Sequence, residues 1–322
     1  MILITGGAGY IGSHANKMLN AQNVETVIYD NLSRGHQEAV QWGHFVHGDL
    51  ADRDLLRRCF QSYPIDAVMH FASLIEVGES VARPAEYYRN NVVNTLNLFD
   101  VMVENEVKYL IFSSSCASYG NPVCVPMRED HPQHPMNPYG KTKWFVEQIL
   151  QDYEKAYGLK HVCLRYFNAA GADPDGVIGE SHDPETHLIP IILQAAKGLR
   201  PHVDIYGTDY DTPDGTCLRD FVHVNDLVSA HILALKYLRG GGSSTAFNLS
   251  NARGYSVREV VETAMRITGR PIRMVDKVKR DGDPAVLVGH ADKAKAVLGW
   301  QPRHPDLADM IQTAWSWEKK KS

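Results

Sequence analysis

Two residues that could move a proton, Tyr139 and Lys143, lie four positions apart in the stretch NPYGKTK (137–143). Asn137 is a favourable N-cap and Pro138 is a favourable first helical residue, so the sequence predicts a helix that begins here. On that helix the phenol and the ammonium would lie one turn apart on the same face. A free tyrosine has a pKa of about 10 and is a poor base at neutral pH. Because a neighbouring positive charge lowers that pKa, the pair is a candidate acid–base centre.

A hydroxyl that could complete this centre comes from three serines, which end the stretch YLIFSSS (109–115). The apolar start of this stretch predicts a strand, and reactive side chains collect at the carboxyl ends of strands in open parallel sheets. The last serine, Ser115, can hydrogen-bond the same substrate oxygen as the phenol. We therefore predict Ser115, Tyr139 and Lys143 as catalytic residues for the oxidation of an alcohol to a ketone.

A glycine-rich turn near the N-terminus indicates which cofactor would accept the electrons. The stretch ITGGAGYIGSH (4–14) places Gly6, Gly9 and Gly12 between a predicted strand and a predicted helix. Glycines at this spacing allow a tight turn, a close approach of a pyrophosphate and close packing of the helix, whose N-terminus attracts the anion. Asp30 ends the next predicted strand, where a carboxylate suits an adenosine ribose diol and would repel a 2′-phosphate. The pattern predicts NAD, whose oxidised nicotinamide would add positive charge near the phenol.

Short apolar runs alternate with amphipathic stretches through the first half of the chain. Their near-continuous apolar content predicts strands buried on both faces of a parallel sheet, and the alternation predicts a Rossmann-like, doubly wound α/β fold. The predicted strands are MILIT (1–5), ETVIYD (25–30), HFVHGD (44–49), DAVMHFA (66–72), YLIFSSS (109–115) and HVCLRYF (161–167). The clearest helical patterns span 85–105 and 141–157.

The alternation of apolar runs and amphipathic stretches ends after residue 167. Residues 168–187 are rich in Gly, Pro, Asp and His and predict a long loop, as do residues 208–216. Loops of such length in compact domains are usually functional or disordered. We expect an NAD-binding Rossmann domain over 1–167, to which a segment near 217–238 returns, and a smaller α/β substrate domain over 168–322.

Composition excludes several partners. A net charge of -5 over 322 residues creates no basic field for nucleic acid. No apolar run reaches the roughly 18 residues of a membrane span, and MILITGG is typical of a strand rather than a signal peptide. Five widely spaced cysteines without a C-x-x-C pattern indicate free thiols in a reducing compartment. We expect a cytoplasmic protein that binds neither nucleic acid nor membranes.

Motifs throughout the chain resemble those of the extended short-chain dehydrogenase/reductase family, and among its members the UDP-sugar 4-epimerases. TGGAGYIGSH, SSSCASYG, NPYGKTK and the long stretch from Ile205 to Leu227 carry most of this resemblance. It implies an NAD cofactor, a UDP-sugar substrate and a homodimer with the 85–105 helix as a candidate contact face. Besides the three glycines, the implied NAD contacts are Tyr10, Ile11, Asp30, Asn31, Asp49, Leu50, Phe71, Ala72, Asn90, Ser113, Tyr139, Lys143 and Phe167. The implied UDP-sugar contacts are Ser115, Asn168, Leu188, Tyr206, Arg219, Arg280, Asp283 and Leu287.

The reaction implied by this resemblance interconverts UDP-glucose and UDP-galactose through a 4-keto sugar. Tyr139 would exchange the proton of the 4-hydroxyl, Lys143 would lower the pKa of Tyr139, and Ser115 would hydrogen-bond the 4-oxygen. The planar donors of Arg219 and Arg280 suit a diphosphate. The ring of Tyr206 could stack on the uracil.

Two other functions stay open at this point, while two related reactions, dehydration and decarboxylation, are disfavoured. Related dehydratases and decarboxylases place acidic residues beside the catalytic serine, whereas Cys116 and Ala117 follow Ser115 here. An epimerase of another UDP-sugar, such as an N-acetylhexosamine, a pentose or a uronate, is the first alternative. A non-catalytic NAD-sensing protein is a remote one, since such proteins typically lose the tyrosine or the lysine.

Two departures from the family pattern concern ligand binding. Ile75 stands where some members place a lysine near the NAD pyrophosphate, which removes one charge contact. Leu287 stands where some members have a tyrosine beside the sugar, and two interpretations are open: a smaller residue leaves room for a 2-acetamido group, or Leu287 only forms the pocket wall. His182 and His187 lack helical ligand spacing and a third partner, so we expect loop residues that line the nucleotide site and no metal site.

Overall fold

A computed structural model describes residues 1–280 and 283–321. The first half of the chain contributes most strands of a parallel sheet, and the second half contributes most of the remaining strands. The strands are β1 (Ile2–Thr5), β2 (Thr26–Asp30), β3 (His44–His47), β4 (Ala67–His70), β5 (Tyr109–Ser115), β6 (Lys160–Tyr166), β7 (Asn168–Ala170), β8 (Val203–Tyr206), β9 (Leu218–His223), β10 (Thr245–Leu249), β11 (Gly254–Ser256), β12 (Met274–Lys277) and β13 (Val286–Leu287). Each predicted strand is present, with ends that differ by at most two residues. The predicted α/β fold class is confirmed.

Helices follow most of these strands. They are α1 (Tyr10–Asn20), α2 (Arg53–Ser62), α3 (Val77–Ala82), α4 (Pro84–Tyr88), α5 (Asn94–Glu104), α6 (Pro138–Tyr157), α7 (Leu188–Ala196), α8 (Val224–Arg239), α9 (Val257–Thr268), α10 (Asp292–Leu298) and α11 (Leu307–Glu318). Among the described residues, none of these helices has the length and apolar content to cross a membrane.

The strand order of the large sheet locates a binding crevice. The described part of the chain forms a seven-stranded sheet in the order β10-β6-β5-β4-β1-β2-β3, and all neighbouring strands are parallel. The order reverses between β1 and β4. In doubly wound sheets, ligands bind outside the carboxyl ends of the strands at such a reversal.

The apolar side chains of β1 pack into two separate hydrophobic cores. Ile2 and Ile4 of β1 point into a core formed with α1, α8 and α10, whereas Leu3 points into a second core formed with α2, α5 and α6. Successive residues of a strand face opposite sides of the sheet. Since both sides are covered by helices, the strands need apolar residues at every position, which explains the continuous runs in the sequence.

The second half of the chain forms a smaller unit around its own core. Strand β9 pairs with β7, β11 and β13, and β8 pairs with β12. Helices α7, α9 and α11 pack on these strands around Ile192, Phe221 and Trp315. Two later elements lie with the large sheet instead: α8 packs on it, within the segment near 217–238, and β10 extends it beside β6. The domain boundaries at 167 and 168 stay a prediction.

The two predicted helices differ in how closely they match. Helix α6 begins at Pro138, as Asn137 and Pro138 predict and three residues before the 141–157 pattern, because Asn137 caps it by accepting a hydrogen bond from the Gly140 amide at 2.8 Å. The pattern over 85–105 is interrupted by a wider π turn at 89–93 between α4 and α5. The buried Asn91 amide in that turn bonds both backbone groups of Leu74, which holds the wide turn in place.

The predicted loop at 168–187 also starts differently. Its first three residues form β7, which pairs with β9 from Asn168 to Ala170. This pairing ties the end of the large sheet to the smaller unit. From Gly171 to His187 the segment has neither helix nor strand, as the sequence predicts.

A buried ion pair fixes α6 against the sheet. The carboxylate of Glu147 accepts hydrogen bonds from Arg165 Nη2 at 2.5 Å and from Ser114 Oγ at 2.5 Å. The side chains of Glu147 and Arg165 are 3% and 8% exposed. Because α6 also carries Tyr139 and Lys143, this ion pair fixes the position of these two residues relative to the ends of the strands.

Glu147→Ala should lower the free energy of unfolding by about 3–5 kcal/mol, because it leaves the Arg165 guanidinium buried without a counter-charge. Glu154→Ala, two turns later on the same helix, is the matched control. It breaks the more exposed pair with Lys160 and should change the free energy by about 1 kcal/mol or less. Urea unfolding followed by circular dichroism measures both. Equal losses in the two variants would show that the buried pair does not hold α6.

Candidate active site

One cleft of about 1230 Å³ opens at the carboxyl ends of β1, β4 and β5, between the large sheet and the smaller unit. Every residue assigned above to catalysis, NAD or the UDP-sugar lines it. The volume exceeds the roughly 300–1,000 Å³ of common ligand pockets, so there is room for two ligands side by side. The individual binding roles of these residues stay predictions.

The glycine turn packs too closely for any other residue. A Cβ atom on Gly6 would lie 2.5 Å from the Ala72 nitrogen, and Gly6 has a φ of +73°. A Cβ atom on Gly12 would lie 2.2 Å from the Gly6 carbonyl oxygen. Gly9 caps α1, whose first amides open toward the cleft. This cradle is suited to the pyrophosphate of a dinucleotide.

The carboxylate at the end of β2 is held in place by backbone donors. Asp30 accepts hydrogen bonds from the Ala8 amide at 2.9 Å and from the Leu32 amide at 2.8 Å. Burial raises the pKa of Asp30, while these two hydrogen bonds act in the opposite direction. Beside it, Asn31 donates to Asp49 at 2.6 Å. The polar side chains of Asp30 and Asn31 suit the hydroxyl groups of an adenosine ribose.

The ammonium of Lys143 is buried beneath the end of β5. Its Nζ donates to the Ser113 carbonyl oxygen at 2.8 Å and lies 5.8 Å from the centre of the Tyr139 ring. Lys143 is 3% exposed and Ser115 is 8% exposed. The three predicted catalytic residues therefore lie together in the cleft, with Lys143 and Ser115 buried and Tyr139 half-buried.

Burial controls the ionisation of both members of the pair. It raises the pKa of Tyr139 to about 12, although the Ser115 hydroxyl opposes the shift. It lowers the pKa of Lys143 to about 7, although the charge of Glu147 opposes that shift. The chain by itself thus does not produce the lowered phenol pKa expected from the sequence. Sequence spacing shows the neighbouring ammonium, but it does not show burial, which is the largest cause of the shift.

Two supporting residues were missed in the sequence. Tyr166, at the end of β6, hydrogen-bonds through its hydroxyl with Ser113 Oγ and lines the cleft. His70, at the end of β4, contacts Thr5 Oγ1 at 2.6 Å, and burial followed by the charge of Lys143 lowers its pKa to about 3. Each of these two residues is the last residue of a strand in the large sheet. That position at a strand end is the signal that could have identified them.

The far side of the cleft carries two arginines. Arg219 forms an ion pair with Asp283, and its side chain is 12% exposed. The guanidinium of Arg280 lies 3.9 Å from the centre of the Tyr206 ring. Both arginines thus already have partners, so an incoming anion would compete with Asp283, and one face of Tyr206 is covered.

The loop histidines have more partners than the sequence analysis allowed. His182 Nδ1 lies 3.2 Å from Glu180 Oε1 and 3.7 Å from Glu185 Oε1, and His187 contacts Glu180. The expectation that no third partner lies nearby is wrong. The signal was the pattern Glu-x-His-x-x-Glu-x-His over 180–187, whose two glutamates and two histidines come together in the structure.

Comparison with known proteins supports one family. Residues 2–250 match the model of the NAD dependent epimerase/dehydratase family. The chain is 50% identical over 319 residues to UDP-glucose 4-epimerase of Halalkalibacterium halodurans, covering 99% of this chain and 96% of that protein.

Solved structures agree with this match. The crystal structure of UDP-glucose 4-epimerase from Brucella ovis in complex with NAD is 49% identical, with a TM-score of 0.96 over 98% of this chain and 97% of that one. The UDP-Glc/GlcNAc 4-epimerase from Campylobacter jejuni is 41% identical, with a TM-score of 0.87 over 99% of both chains.

The buried lysine makes stability depend on pH. Between its pKa of about 7 in the folded chain and the usual value of about 10.4, the unfolded chain binds more protons. The free energy of unfolding therefore rises from pH 7 to pH 10, and this contribution is lost again as the pH falls through 7. Lys143→Met removes the contribution.

We expect the free energy of unfolding of the cofactor-free wild type, minus that of Lys143→Met, to rise by more than about 1 kcal/mol between pH 7 and pH 10. Urea unfolding at several pH values measures it. Lys155→Met, at an exposed position of the same helix, should show no such pH trend relative to wild type. A difference that stays constant with pH for Lys143→Met would contradict the buried-lysine assignment.

Proposed function

The chain belongs to the NAD dependent epimerase/dehydratase family, and from this premise we propose that it is a UDP-glucose 4-epimerase. It would interconvert UDP-glucose and UDP-galactose by inverting C4. The observation that carries the proposal is that the glycine turn, the Ser115–Tyr139–Lys143 group and two arginines line a single cleft. Its volume of about 1230 Å³ suits a dinucleotide beside a nucleotide sugar.

NAD is the cofactor that the cleft fits. The cradle at Gly6 and Gly12 leaves no room for a side chain, and the start of α1 offers backbone donors to a pyrophosphate. The carboxylate of Asp30, held by two amides, faces the same cleft and disfavours a 2′-phosphate. When bound, NAD supplies a hydride acceptor and donor together with the positive charge of its oxidised ring.

The residues of the chain would handle the proton. Tyr139 removes the proton of the 4-hydroxyl as C4 becomes a ketone, and returns it when C4 is reduced from the opposite face. Ser115 hydrogen-bonds the same oxygen and keeps it directed at the phenol. Since burial alone holds the pKa of Tyr139 near 12, the phenolate requires the added positive charge that the oxidised cofactor brings. Proton removal is thereby restricted to the oxidised complex.

The position after Ser115 favours inversion over elimination. Elimination of water needs a second acid–base pair near the sugar. Cys116 and Ala117 occupy the positions after Ser115, and burial raises the pKa of the Cys116 thiol to about 12. That thiol keeps its proton at neutral pH and cannot act as a base.

The substrate would be held at its nucleotide end. Arg219 and Arg280 can direct planar donors at a diphosphate, after Arg219 exchanges its contact with Asp283 for the phosphate. The hexose would lie toward Ser115 and Leu287, which line the same cleft. If the diphosphate is bound firmly and the hexose loosely, the 4-keto sugar can rotate and present its opposite face to the cofactor.

Leu287 supports UDP-N-acetylhexosamines as further substrates. It is half-buried in β13, and it packs against the small cluster of Tyr119, Met127 and Phe167. A leucine leaves space that a larger side chain would fill. The related enzyme of Campylobacter jejuni is named for both plain and N-acetylated sugars.

We also propose a cytoplasmic homodimer. Val93 of the π turn is 53% exposed and Phe145 of α6 is 37% exposed, and the ring of Tyr88 lies tilted against Phe145 with ring centres 6.0 Å apart. These side chains could cover each other across a dimer axis. The cysteines of the chain are all unpaired, in keeping with a reducing compartment.

Tyr139→Phe should lower turnover of UDP-galactose about 10²–10⁴-fold, because it removes only the acid–base hydroxyl. NAD content, measured by chromatography of the denatured protein, should match the wild type. Tyr157→Phe, at the exposed end of the same helix, should keep wild-type turnover. Wild-type turnover in Tyr139→Phe would overturn the proposed role.

Leu287→Tyr should lower the ratio of kcat/KM for UDP-N-acetylgalactosamine to that for UDP-galactose about tenfold, since overfilling a packed site costs about 1–3 kcal/mol. Val286→Ile is the control, because its side chain points to the other face of β13. Coupled assays with both sugars measure the ratio. An unchanged ratio in Leu287→Tyr would remove this residue from substrate selection.

A further inference from the structure

Four ligand-type side chains converge in the irregular segment before α7. One atom from each of Glu180, His182, Glu185 and His187 lies within 4.8 Å of the others. The contacts of His182 Nδ1 with the two carboxylate oxygens measure 3.2 and 3.7 Å. Tetrahedral zinc, with bonds of about 2.0–2.2 Å to nitrogen and oxygen, places neighbouring ligand atoms about 3.3–3.5 Å apart. These two spacings bracket that value, whereas the contact between His187 Nδ1 and Glu180 Oε1 is shorter and would lengthen when the ion binds.

The two carboxylates need positive charge close by. The side chains of Glu180 and Glu185 are 7% and 2% exposed. Buried carboxylates are costly unless they are paired or bind a metal. Glu185 Oε1 also accepts hydrogen bonds from the amides of Thr186 and His187 at 2.9 and 3.0 Å, which fixes the direction of this oxygen. Such supporting bonds orient ligands at metal sites.

A second observation concerns the imidazole of His182. Its Nδ1 atom is inaccessible to solvent and makes no hydrogen bond of acceptable geometry, although it faces both carboxylates. A buried polar atom without a partner requires an explanation. A metal ion bound at Nδ1 would supply that partner.

Two protonated histidines could also balance the two carboxylates. Each imidazolium would then lie beside a carboxylate, as His182 and His187 both do beside Glu180. In that arrangement each imidazolium would be expected to take its own carboxylate oxygen. Instead both Nδ1 atoms approach the single oxygen Glu180 Oε1, with ring centres 5.1 Å apart. Convergence of this kind favours a central ion over separate pairs.

We propose that Glu180, His182, Glu185 and His187 bind one zinc ion. Four protein ligands leave no open position, so the site would be structural rather than catalytic. It would hold the segment that carries His187 directly before Leu188, which lines the cleft at the start of α7. The proposal does not depend on the reaction proposed above, because metal binding is measured without substrate.

The segment already bridges both halves of the molecule. The backbone oxygen of Ser181 contacts His36 Nε2 at 2.9 Å, and that of Asp183 accepts from Arg34 at 3.3 Å. On the other side, Trp317 donates to the Glu180 oxygen at 2.9 Å. Zinc would therefore stabilise the packing of the smaller unit against the glycine-turn side of the sheet.

The test uses the full-length protein. It is dialysed against a chelator, titrated with zinc chloride in competition with a chromophoric chelator, and analysed for metal by mass spectrometry. We expect one zinc per chain and a melting temperature raised by about 5 °C at saturating zinc. His182→Gln and Glu185→Gln should each weaken zinc binding about 100-fold. His44→Gln, at an exposed position on β3, should bind like wild type.

Crystals of the zinc-loaded wild type provide a measurement that does not depend on variants. Anomalous scattering at the zinc edge should give one peak between the four side chains. Three outcomes would overturn the proposal: less than about one tenth of a zinc per chain, affinity unchanged in both His182→Gln and Glu185→Gln, or an anomalous peak at another place.

Discussion

Loss of water around Lys143 is the constraint on which the rest of the site depends. The ammonium lies under the end of β5 with the Ser113 carbonyl oxygen as its partner at 2.8 Å. The same burial raises the pKa of Tyr139 and lowers that of Lys143. At neutral pH the phenol of Tyr139 is thus protonated and the amine of Lys143 is only partly charged. In a desolvated site, the charge of a cationic ligand acts far more strongly than it would in water.

Two rigid contacts hold that desolvated place together. The pair between Glu147 and Arg165 fixes α6 against β5 and β6, which sets the position of Tyr139. The close packing of Gly12 on the Gly6 carbonyl fixes α1 on the other side of the sheet reversal. The acid–base pair and the dinucleotide cradle are therefore parts of one rigid sheet edge. The more loosely built parts of the cleft, at Arg219 and Leu287, belong to the smaller unit.

Much of this arrangement was predictable from local rules. Continuous apolar runs predict the strands because helices cover both sheet faces. Asn137 predicts the start of α6 because its side-chain oxygen can accept a hydrogen bond from a free amide in the first turn of a helix. The predicted site residues meet in one cleft because strand ends of a parallel sheet share an edge.

What the sequence did not show depends on contacts between distant residues. The π turn at 89–93 rests on Asn91 bonding to Leu74, seventeen positions away. The raised pKa of Tyr139 rests on burial, which spacing does not report. The return of β10 to the large sheet depends on its pairing with β6. The grouping of Glu180 and Glu185 with the histidines depends on how an irregular loop turns.

We propose that C4 is inverted by removing and returning its own hydrogen as hydride, while Tyr139 moves only the oxygen-bound proton. Incubation of the NAD-loaded protein with UDP-galactose in D₂O, followed by proton NMR, distinguishes this from deprotonation of the carbon. We expect UDP-glucose that keeps hydrogen at C4. Deuterium at C4 would show that the carbon is deprotonated instead, and the absence of any 4-epimer would contradict the assignment altogether.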